Sequence, residues 1–174
     1  MKTLKNLFAI AILSVIALGV NAQNESATVA ASATVTTQLT ITKNVDMNFG
    51  NISGTTDGPV KIDPKGSAHG YVGATVAVGK LTISAANSTS IKVIWPATID
   101  LSNGTPADDM TLTLDVNGYT TDVPASSTDL TTPADVTTSG SGAYFIYVGG
   151  SLGALSSQTA GTYTGSALFE VEYN

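Results

Sequence analysis

His69 is the only histidine among the 174 residues, and the chain has no cysteine. Nucleophilic catalysis would therefore need a serine activated by His69 and oriented by a carboxylate. His69 stands in GSAHGYVG, which reads as a turn entering a strand and not as the setting of a nucleophile elbow. The expected state is a loop histidine, and no enzymatic activity is expected. A zinc site would have to rest on carboxylates around a single imidazole, which is a poor donor set. Calcium is the better metal candidate. DLSNGTPADD places Asp100, Asn103, Asp108 and Asp109 near one loop, and DVNGYTTD adds Asp115, Asn117 and Asp122. Oxygen-rich loops of this kind hold Ca²⁺, but neither stretch completes a twelve-residue loop with its closing glutamate. Asp, Asn and Gly are also the residues that tight turns require. No cofactor is expected.

Trp95, in IKVIWPATI, is the only tryptophan. It reads either as a core residue at the end of an alternating run or as an exposed platform for a sugar ring. No further aromatic stands beside it, so the core reading is favoured.

The elements that must position these residues are strands. Thr, Ser, Val, Ala and Gly dominate the composition, and helix formers are few. Short alternating runs occur at Ala27–Thr42, Asp46–Ile52, Pro59–Ile62, Ala74–Val78, Lys80–Ala85, Ser90–Trp95, Thr98–Leu101, Met110–Val116, Tyr144–Val148 and Tyr163–Tyr173. Turn-rich stretches separate them. This spacing predicts an all-β, immunoglobulin-like antiparallel β-sandwich. The pairs Asn103-Gly104 and Asn117-Gly118 are predicted tight turns. The polar stretch Pro124–Gly142 is expected to be a loop holding at most one short strand.

The N-terminus has Lys2 and Lys5, an apolar run Leu7–Val20, and the small-residue site Val20-Asn21-Ala22. This order predicts a signal peptide over residues 1–22, a mature domain over 23–174, and no membrane span after cleavage. The expected location is the periplasm, the cell surface or the medium. The formal net charge is −6, and loss of Lys2 and Lys5 with the leader takes it to −8. There is no arginine, so the basic footprint that nucleic acid requires is missing.

The two ends of the mature chain are its most informative parts. Ala27, Val29, Ala31, Ala33 and Val35 share one face of an alternating run about twice the usual strand length. Residues 23–35 therefore read as a candidate donor-strand arm. In GTYTGSALFEVEYN the residues Tyr163, Gly165, Ala167, Phe169, Val171 and Tyr173 share an inward face, with Leu168 as the exception. This final strand is expected to border an edge open to an added strand. The predicted pairing interface is Ala27, Val29, Ala31, Ala33, Val35, Gly161, Phe169, Val171 and Tyr173. The partner is the arm of the same chain, of another copy or of a related subunit.

Gly161, the alternation after it and Tyr173 resemble the C-terminal signature of chaperone–usher pilus subunits. That resemblance implies a sandwich lacking a strand that a neighbour donates. The mature chain is also similar over most of its length to the domain-of-unknown-function 4402 family of secreted bacterial β-proteins. The similarity rests on LTITKNVDMNFGNI (Leu39–Ile52), IKVIWPATIDLSNG (Ile91–Gly104), MTLTL (Met110–Leu114), YVGGSL (Tyr147–Leu152) and QTAGTYTGSALFEVEYN (Gln158–Asn174). The same features resemble, more distantly, spore-coat-U-type subunits of archaic pili. These resemblances imply a non-enzymatic, fimbria-like or adhesin-like surface subunit. The competing expectation is a small-ligand or carbohydrate-binding module.

Overall fold

The structure is a computed structural model that describes residues 26–35 and 37–174. The expected leader, residues 1–22, lies outside the described residues. The chain divides into two units, Met1–Thr34 and Val35–Asn174. Residues 26–34 of the first hold no strand and are exposed. All the strands of the described residues lie in the second unit.

Ten strands follow in chain order: β1 (Thr40–Val45), β2 (Thr55–Ile62), β3 (Gly79–Ser84), β4 (Ser90–Ile94), β5 (Thr98–Leu101), β6 (Met110–Tyr119), β7 (Thr128–Asp129), β8 (Ala134–Thr137), β9 (Ala143–Ser156) and β10 (Glu170–Tyr173). They form two antiparallel sheets. The larger has the order β1-β3-β9-β6-β5, with β2 also on β9 and β7 also on β6, and the smaller has the order β10-β4-β8. The chain changes sheets between β4 and β5, through Trp95-Pro96-Ala97. Proline has no N–H to give a ladder, so the pairing breaks there and the strand turns.

The sheets face each other across a shared core, which makes the fold a β-sandwich. Ile83, Val116, Tyr144 and Ile146 of the large sheet pack with Ile91, Val93, Ala134 and Val136 of the small one. The three-stranded sheet is too narrow to cover all of its partner. Beyond its edge lies a second apolar cluster, built on Val60, Met110, Leu112, Leu152 and Leu155. Met47 and Leu114 touch both clusters.

Several expectations require correction. Of the described residues of the run Ala27–Thr42, only Thr40–Thr42 belong to a strand. Asn117-Gly118 is not a turn. Both residues lie inside β6, paired with Tyr147 and Ile146 of β9. Glycine is needed there for space: a Cβ on Gly118 would lie 2.6 Å from the Tyr144 ring. Pro124–Gly142 carries β7 and β8, and β8 places Ala134 and Val136 in the core. Asp46–Ile52 and Ala74–Val78 are not strands; a single bridge, Asn48 to Ala77, joins them. The other tight-turn expectation agrees with the structure, with Gly104 at φ +91°.

Candidate functional site

A groove of about 950 Å³ opens between two stretches that contribute little regular pairing, 43–54 and 158–169. Its floor includes Leu112 and Leu114 of β6 with Val148 and Leu152 of β9. Met47, Phe49, Tyr163 and Phe169 stand on its walls. Leu112 and Leu152 are almost fully buried, so the accessible apolar surface of the groove comes from Met47, Phe49, Leu114, Tyr163 and Phe169, all half-buried.

The first wall is held from outside. Asn48 exchanges both backbone hydrogen bonds with Ala77, at 2.9 and 2.8 Å, and the Phe49 carbonyl accepts from the Gly73 N–H at 2.8 Å. Gly50 turns the chain at φ +71°, its N–H donating to Asn48 Oδ1 at 2.8 Å.

The second wall is different. Thr164 exchanges two 3.0 Å backbone bonds with Ser102, just beyond β5. Glu170 then pairs with Ile94 on β4. Between these anchors the C-terminal segment passes from one sheet to the other. Gly165–Phe169 makes no backbone–backbone hydrogen bond with any described residue. This stretch, without backbone partners among the described residues, borders the groove.

The expected strand Tyr163–Tyr173 is regular only over Glu170–Tyr173, with an isolated bridge at Thr164, but the expected alternation of exposure is present. Tyr163, Ala167, Phe169, Val171 and Tyr173 are half-buried, and Thr162, Thr164, Ser166, Leu168, Glu170 and Glu172 are exposed. Gly165 is exposed, against the expectation. Phe169 stacks on Trp95 with ring centroids 5.9 Å apart and planes 17° apart. Tyr173 ties the far end down: its hydroxyl accepts from the Ala86 N–H at 2.9 Å and donates to the Thr37 carbonyl at 2.7 Å. Gly161 lies on the groove rim, 3.7 Å from Asn103 by its would-be Cβ. Ala27, Val29, Ala31, Ala33 and Val35 are exposed and outside any strand, with Val29 at 93% and Val35 at 94%.

A model described as Domain of unknown function (DUF4402) matches residues 39–173. The chain belongs to the DUF4402 family. No curated protein matches it. In this DUF4402 protein, three stretches singled out in the sequence meet at the groove: Asp46–Gly50 on one wall, Val148 and Leu152 on the floor, and Gly161–Gly165 on the other wall.

The remaining candidate residues of this DUF4402 chain are committed elsewhere. His69 Nδ1 accepts the Asp63 N–H at 3.1 Å and closes the loop after β2. Burial opposes ionisation of Asp63, but hydrogen bonds from the Lys65 backbone, the Ser67 hydroxyl and backbone, and the Ala68 backbone hold its carboxyl below the usual range. Sequence reasoning overlooked a G-x-S-x-G pattern at Gly149–Gly153, but Ser151 lies within β9, paired with Lys61 of β2 and Thr113 of β6. The strand-to-helix turn that would expose such a serine is absent there. Trp95 is 6% exposed and so offers no sugar platform.

The calcium candidates do not converge. Asp100 Oδ1 accepts from the Thr111 hydroxyl at 2.9 Å. Asn103 turns its amide nitrogen toward Asp108 Oδ2 at 3.4 Å and its carbonyl toward the Thr105 N–H at 2.8 Å. Among the described residues no group of three or more carboxylates or imidazoles is placed to hold a metal. No helix among them is long and apolar enough to cross a membrane.

Sequence reasoning missed the groove. Leu112, Leu114 and Leu152 read as ordinary core residues, and periodicity gives no sign that a groove runs over them. The available signal was the broken alternation of NVDMNFGNISG, where Asn and Gly interrupt a strand-like run.

Proposed function

We propose that this protein is an exported, non-enzymatic subunit of a surface fibre: an immunoglobulin-like sandwich completed by a β-strand laid into the groove between 43–54 and 158–169. The strand comes from residues 27–35 of a second copy. One observation carries the reading: a groove lined by half-buried Met47, Phe49, Leu114, Tyr163 and Phe169 runs beside Gly165–Phe169, which has no backbone partner among the described residues. A strand laid there gains ladder bonds and buries apolar side chains together. The stretch Ala27–Val35 alternates in the required way and, like Gly161–Phe169, has nine residues. The resemblance to spore-coat-U-type pilus subunits supports the same reading, and the leader-like N-terminus supports export.

Size-exclusion chromatography of residues 23–174 against residues 36–174 tests the proposal. The longer chain should form concentration-dependent oligomers and the shorter one should stay monomeric. Identical elution of both at all concentrations contradicts it. A second reading has its own observation: about 950 Å³ lies at the upper end of small-ligand pockets. Retention of an apolar small molecule by monomeric residues 36–174, with no uptake of the arm peptide, would favour that reading.

A further inference from the structure

The two Asn-Gly pairs of this chain sit in opposite environments. Asn117-Gly118 lies inside β6 with strands on both sides, β9 and β7, and Asn117 is 1% exposed. Asn103-Gly104 lies in the turn after β5. There Gly104 is exposed, adopts φ +91°, and has no atom within 4 Å of the place a Cβ would take. The Asn103 side chain folds back along its own backbone, its Oδ1 accepting the Thr105 N–H at 2.8 Å. The Gly104 N–H points to Ser102 Oγ at 3.1 Å.

We propose that Asn103 is a site of spontaneous deamidation and isoaspartate formation, and that Asn117 is protected from it. The Gly104 nitrogen attacks Asn103 Cγ, giving up its proton to water. The Cγ–Nδ2 bond breaks, and Nδ2 leaves as ammonia after taking a proton from water. The resulting five-membered imide is opened by water at either carbonyl, giving aspartate or isoaspartate at position 103. Neither an oxidant nor a cofactor is needed. The turn favours the attack for three reasons. The Thr105 N–H faces the oxygen on which negative charge develops, as a donor in an oxyanion site does. Glycine at 104 offers no side chain to obstruct the approach. The turn is open to the water that hydrolyses the imide. At Gly118 the backbone is held extended between two neighbouring strands, so the same closure requires local unfolding first.

The position of Asn103 gives the modification a consequence. Its amide nitrogen donates toward Asp108 Oδ2 and lies 3.8 Å from the position a Gly161 Cβ would take, on the rim of the groove. A carboxylate there would face Asp108 with like charge and remove that hydrogen bond. Isoaspartate would also lengthen the backbone by one carbon at the rim.

Peptide mapping by mass spectrometry of the native protein, aged in mildly alkaline buffer, tests the inference. The expected result is amide-to-acid conversion at Asn103, with both aspartate and isoaspartate peptides, at a rate at least about tenfold above that at Asn117. In denaturant the two sites should convert at similar rates, which isolates the folded structure as the cause. Asn103→Asp should carry no convertible amide at this position and leave Asn117 as protected as before. An intact Asn103 in the native protein, or an Asn117 that keeps pace with it, would overturn the inference.

Discussion

Phe169→Ala tests the placement of the last segment. Phe169 is half-buried and stacked on Trp95 at 5.9 Å. Full burial of a phenylalanine is worth about 1.5–3 kcal/mol, so half-burial is worth about 1. The aromatic pair adds about 0.5–1.5 kcal/mol. The expected loss is about 2 kcal/mol, less than the 3–5 typical of a fully buried aromatic truncated to alanine. For a domain of this size that corresponds to a fall of about 4–8 °C in Tm. The neighbouring Leu168 is 69% exposed. Leu168→Ala should therefore stay within about 0.5 kcal/mol of the parent. Calorimetry or circular-dichroism melting of both variants is the assay. An unchanged Tm for Phe169→Ala, or a larger fall for Leu168→Ala, would show that the segment presents its other face to the core.

Three further outcomes are expected. Gly118→Ala places a methyl 2.6 Å from Tyr144 and should cost about 1–3 kcal/mol in denaturant titration, with Tyr144→Phe restoring part of it. Tyr173→Phe removes a hydroxyl bonded to both Ala86 and Thr37 and should cost about 1–2 kcal/mol by the same measurement. Burial pushes the Asp115 carboxyl above its ordinary 3.8, outweighing the attraction of nearby Lys61. Its ionised form is therefore disfavoured in the folded state, so the penalty is present at neutral pH and absent below 3.8. Asp115→Asn should be more stable than the parent at neutral pH, with the gain fading as pH falls, and paired unfolding curves at the two pH values check this.

The fold class was legible in the sequence because alternation reports burial on one side of a strand. β3, β4, β5 and the alternating last segment were readable for that reason. Trp95 fell in the core as its position at the end of an alternating run implies. Asn117-Gly118 was misread because the short-range hairpin signal and a glycine placed to admit Tyr144 look identical in one dimension. β8 was hidden in a polar stretch, since its two buried residues, Ala134 and Val136, are small and few. The groove was not legible at all. Its walls come from residues about 110 positions apart, and an apolar floor has the same sequence signature whether or not something covers it. What the sequence did carry was the pair of segments the groove would join: the alternating arm and the alternating last segment.

Backbone amide hydrogen exchange of residues 36–174, with and without a peptide spanning Ala27–Val35, tests the strand-addition account most directly. Gly165–Phe169 has no backbone partners among the described residues, so its amides should exchange rapidly when the groove is empty. On addition of the peptide, those amides should gain protection at the alternate positions that a strand ladder bonds. A peptide with Val29→Asp and Ala31→Asp should give none, because its inward charges would have to leave water. Unchanged exchange at Gly165–Phe169 under saturating native peptide, or equal protection by the charged one, would contradict the account.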